Sequence, residues 1–281
     1  MASTDVDAGT VEPLAALTDG ALAMLGQLVA QSGWNQTPQD WALFDRLGDV
    51  FVVRDAGGYI VASGAVLPMG ERAAWISMIL VAPDARGRGL GRKVFAHCLE
   101  AVQATGRTAM LDATPAGEAL YRQFDFEPLW RLTRWQRDAR APLKAATEPH
   151  TPALDTLTAL DAEALGFARG PVLDHLMQRD GSRVLRHAEG FAIVRAGRIA
   201  HHIGPVLATD EAAAVALLAE AADSLSGPLF IDVPDDRPLL RDWLAGAGFT
   251  PQRGFARMAL GPDAPVGQRS FIHAIAGPEF G

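Results

Sequence analysis

The sequence predicts an α+β fold, an α/β mixed sheet built from two similar units. Three observations lead there. From Val11 to Asp138 the chain reads α-α-β-β-β-α-β-α-β, which mixes hairpin strands with crossover helices. Arg140–Pro152 holds three prolines and little apolar periodicity, and reads as a linker. The two sides of that linker also resemble each other. Phe126-Glu127-Pro128 recurs as Phe249-Thr250-Pro251, 123 positions on, and Arg134 recurs as Arg257 at the same offset. The expected division is residues 1–140, a linker at 141–152, and a second unit at 153–281. A length of 281 residues suits two domains at roughly 150 residues each.

The elements follow in order. Leu14–Gln31 carries apolar residues at helical spacing, and Gly33 ends it. Thr37 reads as an N-cap with Pro38 at the first helical position, opening a helix to about Leu47. Val50–Arg54 and Tyr59–Leu67 read as strands joined by the turn Asp55-Ala56-Gly57-Gly58. Ala74–Val81 is a third strand and Ala85–Gly91 a glycine-rich loop. An amphipathic helix spans Lys93–Thr105, a strand Thr108–Ala113, a helix Pro115–Phe124 and a strand Leu129–Gln136. The second unit shows strands at Gly190–Arg195, Ile199–Ile203 and Leu229–Val233, with helices at Asp210–Ser224 and Pro238–Ala247. An extra strand at Arg269–Ala276 has no counterpart in the first unit. It either completes a sheet at the boundary between units or simply ends the second one.

Composition excludes several classes. With 49% hydrophobic and 21% charged residues the chain is of ordinary globular type. Cys98 is the only cysteine, which rules out a disulfide scaffold. No apolar run reaches ~18 residues, so no membrane partner is expected. The acidic N-terminus lacks the pattern of a secretion signal, and a cytoplasmic location is expected. A net charge of -8 argues against a nucleic-acid surface. His201 and His202 are adjacent on a strand, point to opposite faces and do not chelate one ion, so no metal is expected.

One segment runs against the acidic balance. Arg86, Arg88, Arg92 and Lys93 stand against Asp84 alone, among glycines, between a strand and a helix. Backbone N–H groups in such a turn converge, and the helix N-terminus adds partial positive charge. The result suits a phosphate or diphosphate. A P-loop fails because Lys93 is followed by Val94. A dinucleotide fingerprint fails because its last position falls on Arg92 or Val94.

The pattern that fits is [R/Q]-x-x-G-x-[G/A], present as Arg86-Gly87-Arg88-Gly89-Leu90-Gly91 after Ile79-Leu80-Val81-Ala82-Pro83. Some thirty residues on comes Leu120-Tyr121-Arg122-Gln123-Phe124-Asp125-Phe126, similar to L-Y-x-x-x-G-F with Asp125 for the glycine. With these motifs the sequence resembles the GNAT N-acetyltransferase superfamily over about Val11–Trp135, and weakly over the second half. The resemblance implies two tandem GNAT-like domains with the second degenerate. It implies acetyl-CoA as co-substrate, its pantetheine arm beside Ile79, Leu80 and Val81, its diphosphate on the amides of Arg86, Gly87, Arg88, Gly89, Leu90 and Gly91, and Arg86, Arg88 and Arg92 neutralising the diphosphate charge. Thr114 would contact it directly or through water. Tyr121 would sit near the sulfur as general acid, and a backbone N–H near Leu80 would face the oxyanion. The helix-to-helix turn with Trp34 and Asn35 would wall the acceptor. Glu71 and Asp112 are candidate general bases beside a water relay.

In the second half the glycine loop is replaced by Gly204–Ala214, and the tyrosine position falls near Trp243 or Leu244. That half is expected to shape the acceptor pocket or to mediate association, including as a homodimer. Asp232, Asp235 and Asp236 either line a cavity for a cation or form a solvated turn. The implied activity is transfer of an acetyl group to a primary amine on a small molecule. A non-catalytic acyl-CoA sensor and a protein N-acetyltransferase are the alternatives.

Overall fold

The structure, a computed structural model, describes residues 9–143 and 154–281. Residues 144–152 of the expected linker lie outside the described residues. The first half runs β1 (Val11–Pro13), α1 (Asp19–Gln31), α2 (Pro38–Leu47), β2 (Asp49–Arg54), β3 (Ile60–Met69), β4 (Ala73–Val81), α3 (Leu90–Gln103), β5 (Thr108–Ala113), α4 (Pro115–Tyr121) and β6 (Phe126–Arg137). The second runs α5 (Leu154–Leu165), α6 (Gly170–Gln178), β7 (Arg183–His187), β8 (Gly190–Arg195), β9 (His201–Ala208), α7 (Glu211–Asp223), β10 (Leu229–Pro234), α8 (Pro238–Gly246), β11 (Thr250–Leu260) and β12 (Ile272–Ala274). The first helix starts at Asp19, later than its periodicity suggests, because Thr18 caps it by accepting from the Ala21 amide. Leu14 lies before that cap, and its amide bonds to the Val50 carbonyl.

All strands join one sheet in the order β1-β2-β3-β4-β5-β11-β6-β10-β9-β8-β7, with β12 on β9. The halves exchange strands at its centre. β11 of the second half lies between β5 and β6 of the first, and β6 in turn pairs with β10 of the second. Buried ion pairs lock the exchange. Arg134 on β6 binds Asp232 on β10 with two bonds of 2.7 Å. Arg257 on β11 binds Asp112 on β5 at 2.9 and 2.8 Å. The repeated arginine thus clasps an aspartate of the opposite half each time. Planar guanidinium forks match carboxylates in this two-bond geometry.

One face of the sheet carries a single core shared by α1, α2, α5 and α6. The other face carries two cores, α3 on the first half's strands and α7 with α8 on the second's. Cys98, on the sheet-facing side of α3, is fully buried in the first of these.

The segment 269–276 does not complete a sheet at the boundary. That part falls to β11. Residues Ile272 and Ala274 pair with Leu207 and Val206 of β9, inside the second half.

Candidate functional site

The site begins with a defect in β4. Ala65 pairs with Ser77 but Ser63 pairs with Leu80, so β4 carries one extra residue. Met78 absorbs it at φ 56°, and the Ser63 hydroxyl donates to its carbonyl at 3.0 Å. Such a bulge bends the strand and ends regular pairing. β4 pairs in parallel with β5 only as far as Trp75 opposite Met110. Beyond that point the strands part. Ser77, Ile79 and Val81 on one side and Leu111 and Asp112 on the other line a cavity of about 320 Å³.

At the mouth of the split lies the loop Arg86–Arg92. Gly87 and Gly89 have φ 75° and 74°, a conformation that costs a residue with a side chain roughly 1–2 kcal/mol. A Cβ at either position would meet nothing within 4 Å, so the space above the loop is open. The amides of residues 87–92 bond to no carbonyl among the described residues, whereas Arg86 bonds to Pro83 and Lys93 to Gly89. Arg86 and Arg88 brace the loop by donating to the Val81 and Asp84 carbonyls at 3.2 and 3.0 Å. Arg92 reaches Gln123 at 2.6 Å and stacks over Phe124. Leu90 and Leu80 turn their side chains into the core.

Tyr121, at the end of α4, lines the same cavity, with its ring 4.5 Å from that of Phe95. Burial pushes its phenol above the ordinary value, so it is protonated at neutral pH. Thr114 caps α4 by accepting from the Gly117 amide at 3.2 Å, and it also lines the cavity. Asp125 adopts φ 62°, the left-handed conformation that a glycine would take there. Aspartate tolerates it, so the turn after the tyrosine survives the substitution.

The acceptor candidates divide. Trp34 lines the cavity. Asn35 does not. Its amide accepts from Ile199 and Ala200 and donates to the Ala200 carbonyl, which ties the α1–α2 turn to the second half. Glu71 lies at a second cavity with Arg72 and Glu163, away from the split. Asp112 lines the split, but both of its oxygens are taken by Arg257. Burial raises its proton affinity and Arg257 opposes that. Asp232 is neither a cavity carboxylate nor a solvated one, since Arg134 holds it fully buried.

Sequence reasoning missed Gln36, Ser77, Arg134, Phe255 and Glu279, all of which line the cavity. Gln36 and Ser77 flank residues that were singled out. Glu279 sits in a segment without periodicity, and nothing local marks it. Three of these side chains are more than nine-tenths buried with a polar atom lacking a partner: Gln36 Oε1, Ser77 Oγ and Glu279 Oε2.

The second half has the matching split, but filled. β9 and β10 pair only at His201–Leu229 and His202–Phe230. β12 then enters on β9, and the Ile275 amide donates to Asp232 on β10 at 3.0 Å. The helix that follows, α7, is capped by the Asp210 carboxylate, which accepts from Ala213 at 2.9 Å. A diphosphate would meet a negative charge there instead of open amides.

Two family models, each described as an acetyltransferase (GNAT) domain, match residues 46–128 and 157–274. The chain belongs to the GNAT acetyltransferase superfamily and carries two such domains in tandem, which makes it an acyltransferase. It is 24% identical over 258 residues to YitH, an uncharacterized N-acetyltransferase of Bacillus subtilis (strain 168), covering 85% of this chain and 88% of that protein. It is 26% identical over 279 residues to the holothin acyltransferase of a Pseudoalteromonas species (strain SANK 73390), covering 88% and 91%. The crystal structure of a putative acetyltransferase from Pyrococcus horikoshii shares the fold, with a TM-score of 0.79 at 22% identity over 98% of this chain and 96% of that one. No helix among the described residues is long and apolar enough to cross a membrane.

Proposed function

We propose that the protein is an acetyl-CoA-dependent N-acetyltransferase acting on a primary amine of a small molecule, by direct attack with both substrates bound. The observation that carries this is the row of unpartnered amides from Gly87 to Arg92, below open space and beside the split of β4 from β5. Converging amides at a helix start suit the diphosphate of a CoA thioester. The free edge of Ile79–Val81 suits an extended pantetheine arm, held like an added strand. Arg86 and Thr114 line the same space. We assign residues 1–140 to catalysis and 153–281 to a degenerate partner, joined by 141–152.

The chemistry follows from the side chains. The protonated Tyr121 phenol supplies a proton to the departing sulfur, as a general acid does. A backbone N–H near Leu80 stabilises the oxyanion. A cavity of about 320 Å³, walled partly by the second half, favours a small acceptor over an open peptide groove. The test is thiol release from acetyl-CoA in the presence of amino acids, polyamines, aminoglycosides and peptides. Turnover with at least one small amine is expected. Tight acetyl-CoA binding with no turnover on any amine would instead leave an acyl-CoA sensor.

A further inference from the structure

The described chain ends in a tight turn bolted into the first half. The Phe280 and Gly281 amides both bond to the Gly277 carbonyl. Trp75, the last residue of β4 paired with β5, donates its indole N–H to the Pro278 carbonyl at 2.9 Å. Phe280 stacks on Phe44 at 5.7 Å. The buried guanidinium of Arg169 donates to the Phe280 and Gly281 carbonyls. Gly277 holds φ 133°, a conformation that residues with side chains rarely adopt, and a Cβ there would lie 2.8 Å from both Arg195 Nη2 and Glu279 Oε1. These contacts fix Glu279 next to the point where β4 and β5 part. Its Oε1 meets Arg195 at 3.3 Å, while Oε2 is buried without a partner, and the residue lines the cavity that Tyr121 also lines.

We propose that Glu279 is a catalytic residue of the first half's reaction, holding the acceptor's ammonium group at Oε2 and removing its proton, with Gln36 Oε1 and Ser77 Oγ completing the amine subsite. The inference rests on the N-acetyltransferase reading. Two of the three orphaned atoms are acceptors only, and a hydroxyl can also accept. Each calls for an N–H or O–H donor, and a primary ammonium is the simplest group that offers several. Leaving buried acceptors unsatisfied is costly, so a site that does so is built for a donor. Burial raises the proton affinity of Glu279, with Arg195 opposing, which brings a carboxylate closer to use as a base. The charged groups facing it are Arg195 on β8, Arg134 on β6 and Asp40 on α2.

The step balances. The acceptor R–NH3+ gives one proton to Glu279 and becomes a free amine. Its nitrogen forms the N–C bond to the acetyl carbon as the C–S bond breaks. The sulfur leaves with the electron pair and takes the Tyr121 proton. The second nitrogen proton restores the phenol through water, and Glu279 returns its own proton to solvent. One acetamide, one thiol and one proton result.

The experiment compares wild type, Glu279→Gln and Glu279→Asp in the full chain, using the thiol-release panel, pH–rate profiles and calorimetric titration with acetyl-CoA. Glu279→Gln should bind acetyl-CoA as wild type does, lose about 100-fold or more in kcat/KM for the amine, and regain rate at high pH where the amine is already neutral. Glu279→Asp should recover part of the loss. Unchanged acetyl-CoA affinity also shows that the variants fold. An active wild type with Glu279→Gln within about threefold of it and the same pH profile overturns this inference alone. A wild type that binds no acetyl-CoA, or acetylates no amine, removes the reading beneath it as well.

Discussion

Two clefts open where two parallel strands part, one in each half, and only one of them is empty. In the first half β4 and β5 separate after Trp75 and Met110, and the next helix starts on glycines with bare amides. In the second, β9 and β10 separate after His202 and Phe230, and residues 272–275 fill the gap. There the helix starts on an aspartate cap. The same duplicated frame therefore gives an open cavity or a packed core depending on what enters the split. The filled half is also not inert, because the chain beyond its plug delivers Pro278 and Glu279 to the open half.

The strand exchange makes the halves depend on each other, and breaking its clasps is the severest test. Asp232→Ala leaves Arg134 buried and unpaired, and Asp112→Ala does the same to Arg257. Each should cost about 3–5 kcal/mol in urea unfolding, with one transition rather than two. Two separated transitions would show that the halves fold independently.

The next effect concerns the plug. His273 in β12 is buried, and burial, aided by Arg237, pushes it down to about 4. Burial also holds His202 well below its ordinary value. An unfolded histidine titrates near ~6.5, so the unfolded chain takes up protons first as the pH falls. The stability His273 lends is complete above pH ~6.5 and is lost between there and pH ~4, about 3 kcal/mol over the whole window. Unfolding midpoints at a series of pH values should fall across that window, and His273→Gln should flatten the slope. Equal slopes in both proteins would detach the plug from acid sensitivity.

The smallest effect lies in the open half. Tyr121→Phe keeps the ring against Phe95 and removes only the hydroxyl. Steady-state kinetics should show kcat lower by about 100-fold with the KM for acetyl-CoA changed less than about threefold. Full turnover in the variant would take the acid role away from Tyr121.

Much of this was readable from the residues. The glycines between 87 and 91 marked a turn between a strand and a helix, Pro38 a helix start, and the recurrence of Arg134 as Arg257 a duplication. What the recurrence could not tell is where each arginine goes. A strand pairs by the same alternation whether its neighbour is its own half's or the other's, so the exchange leaves no local mark. Asp112 looked like a base because its ion pair with Arg257 spans 145 positions. Asn35 looked like an acceptor wall because its clamp on residues 199–200 is equally remote. Glu279 was invisible for the same reason, since the bond that fixes its turn joins Trp75 to Pro278, 203 positions apart.

The central claim is that one cleft binds a CoA thioester and the other cannot. Calorimetric titration of the full chain with acetyl-CoA tests it directly. The account predicts one acetyl-CoA per chain, with no detectable binding once Gly89→Glu sets a side chain and a negative charge over the amides. Two acetyl-CoA per chain, or one that persists in a folded Gly89→Glu variant, would contradict it.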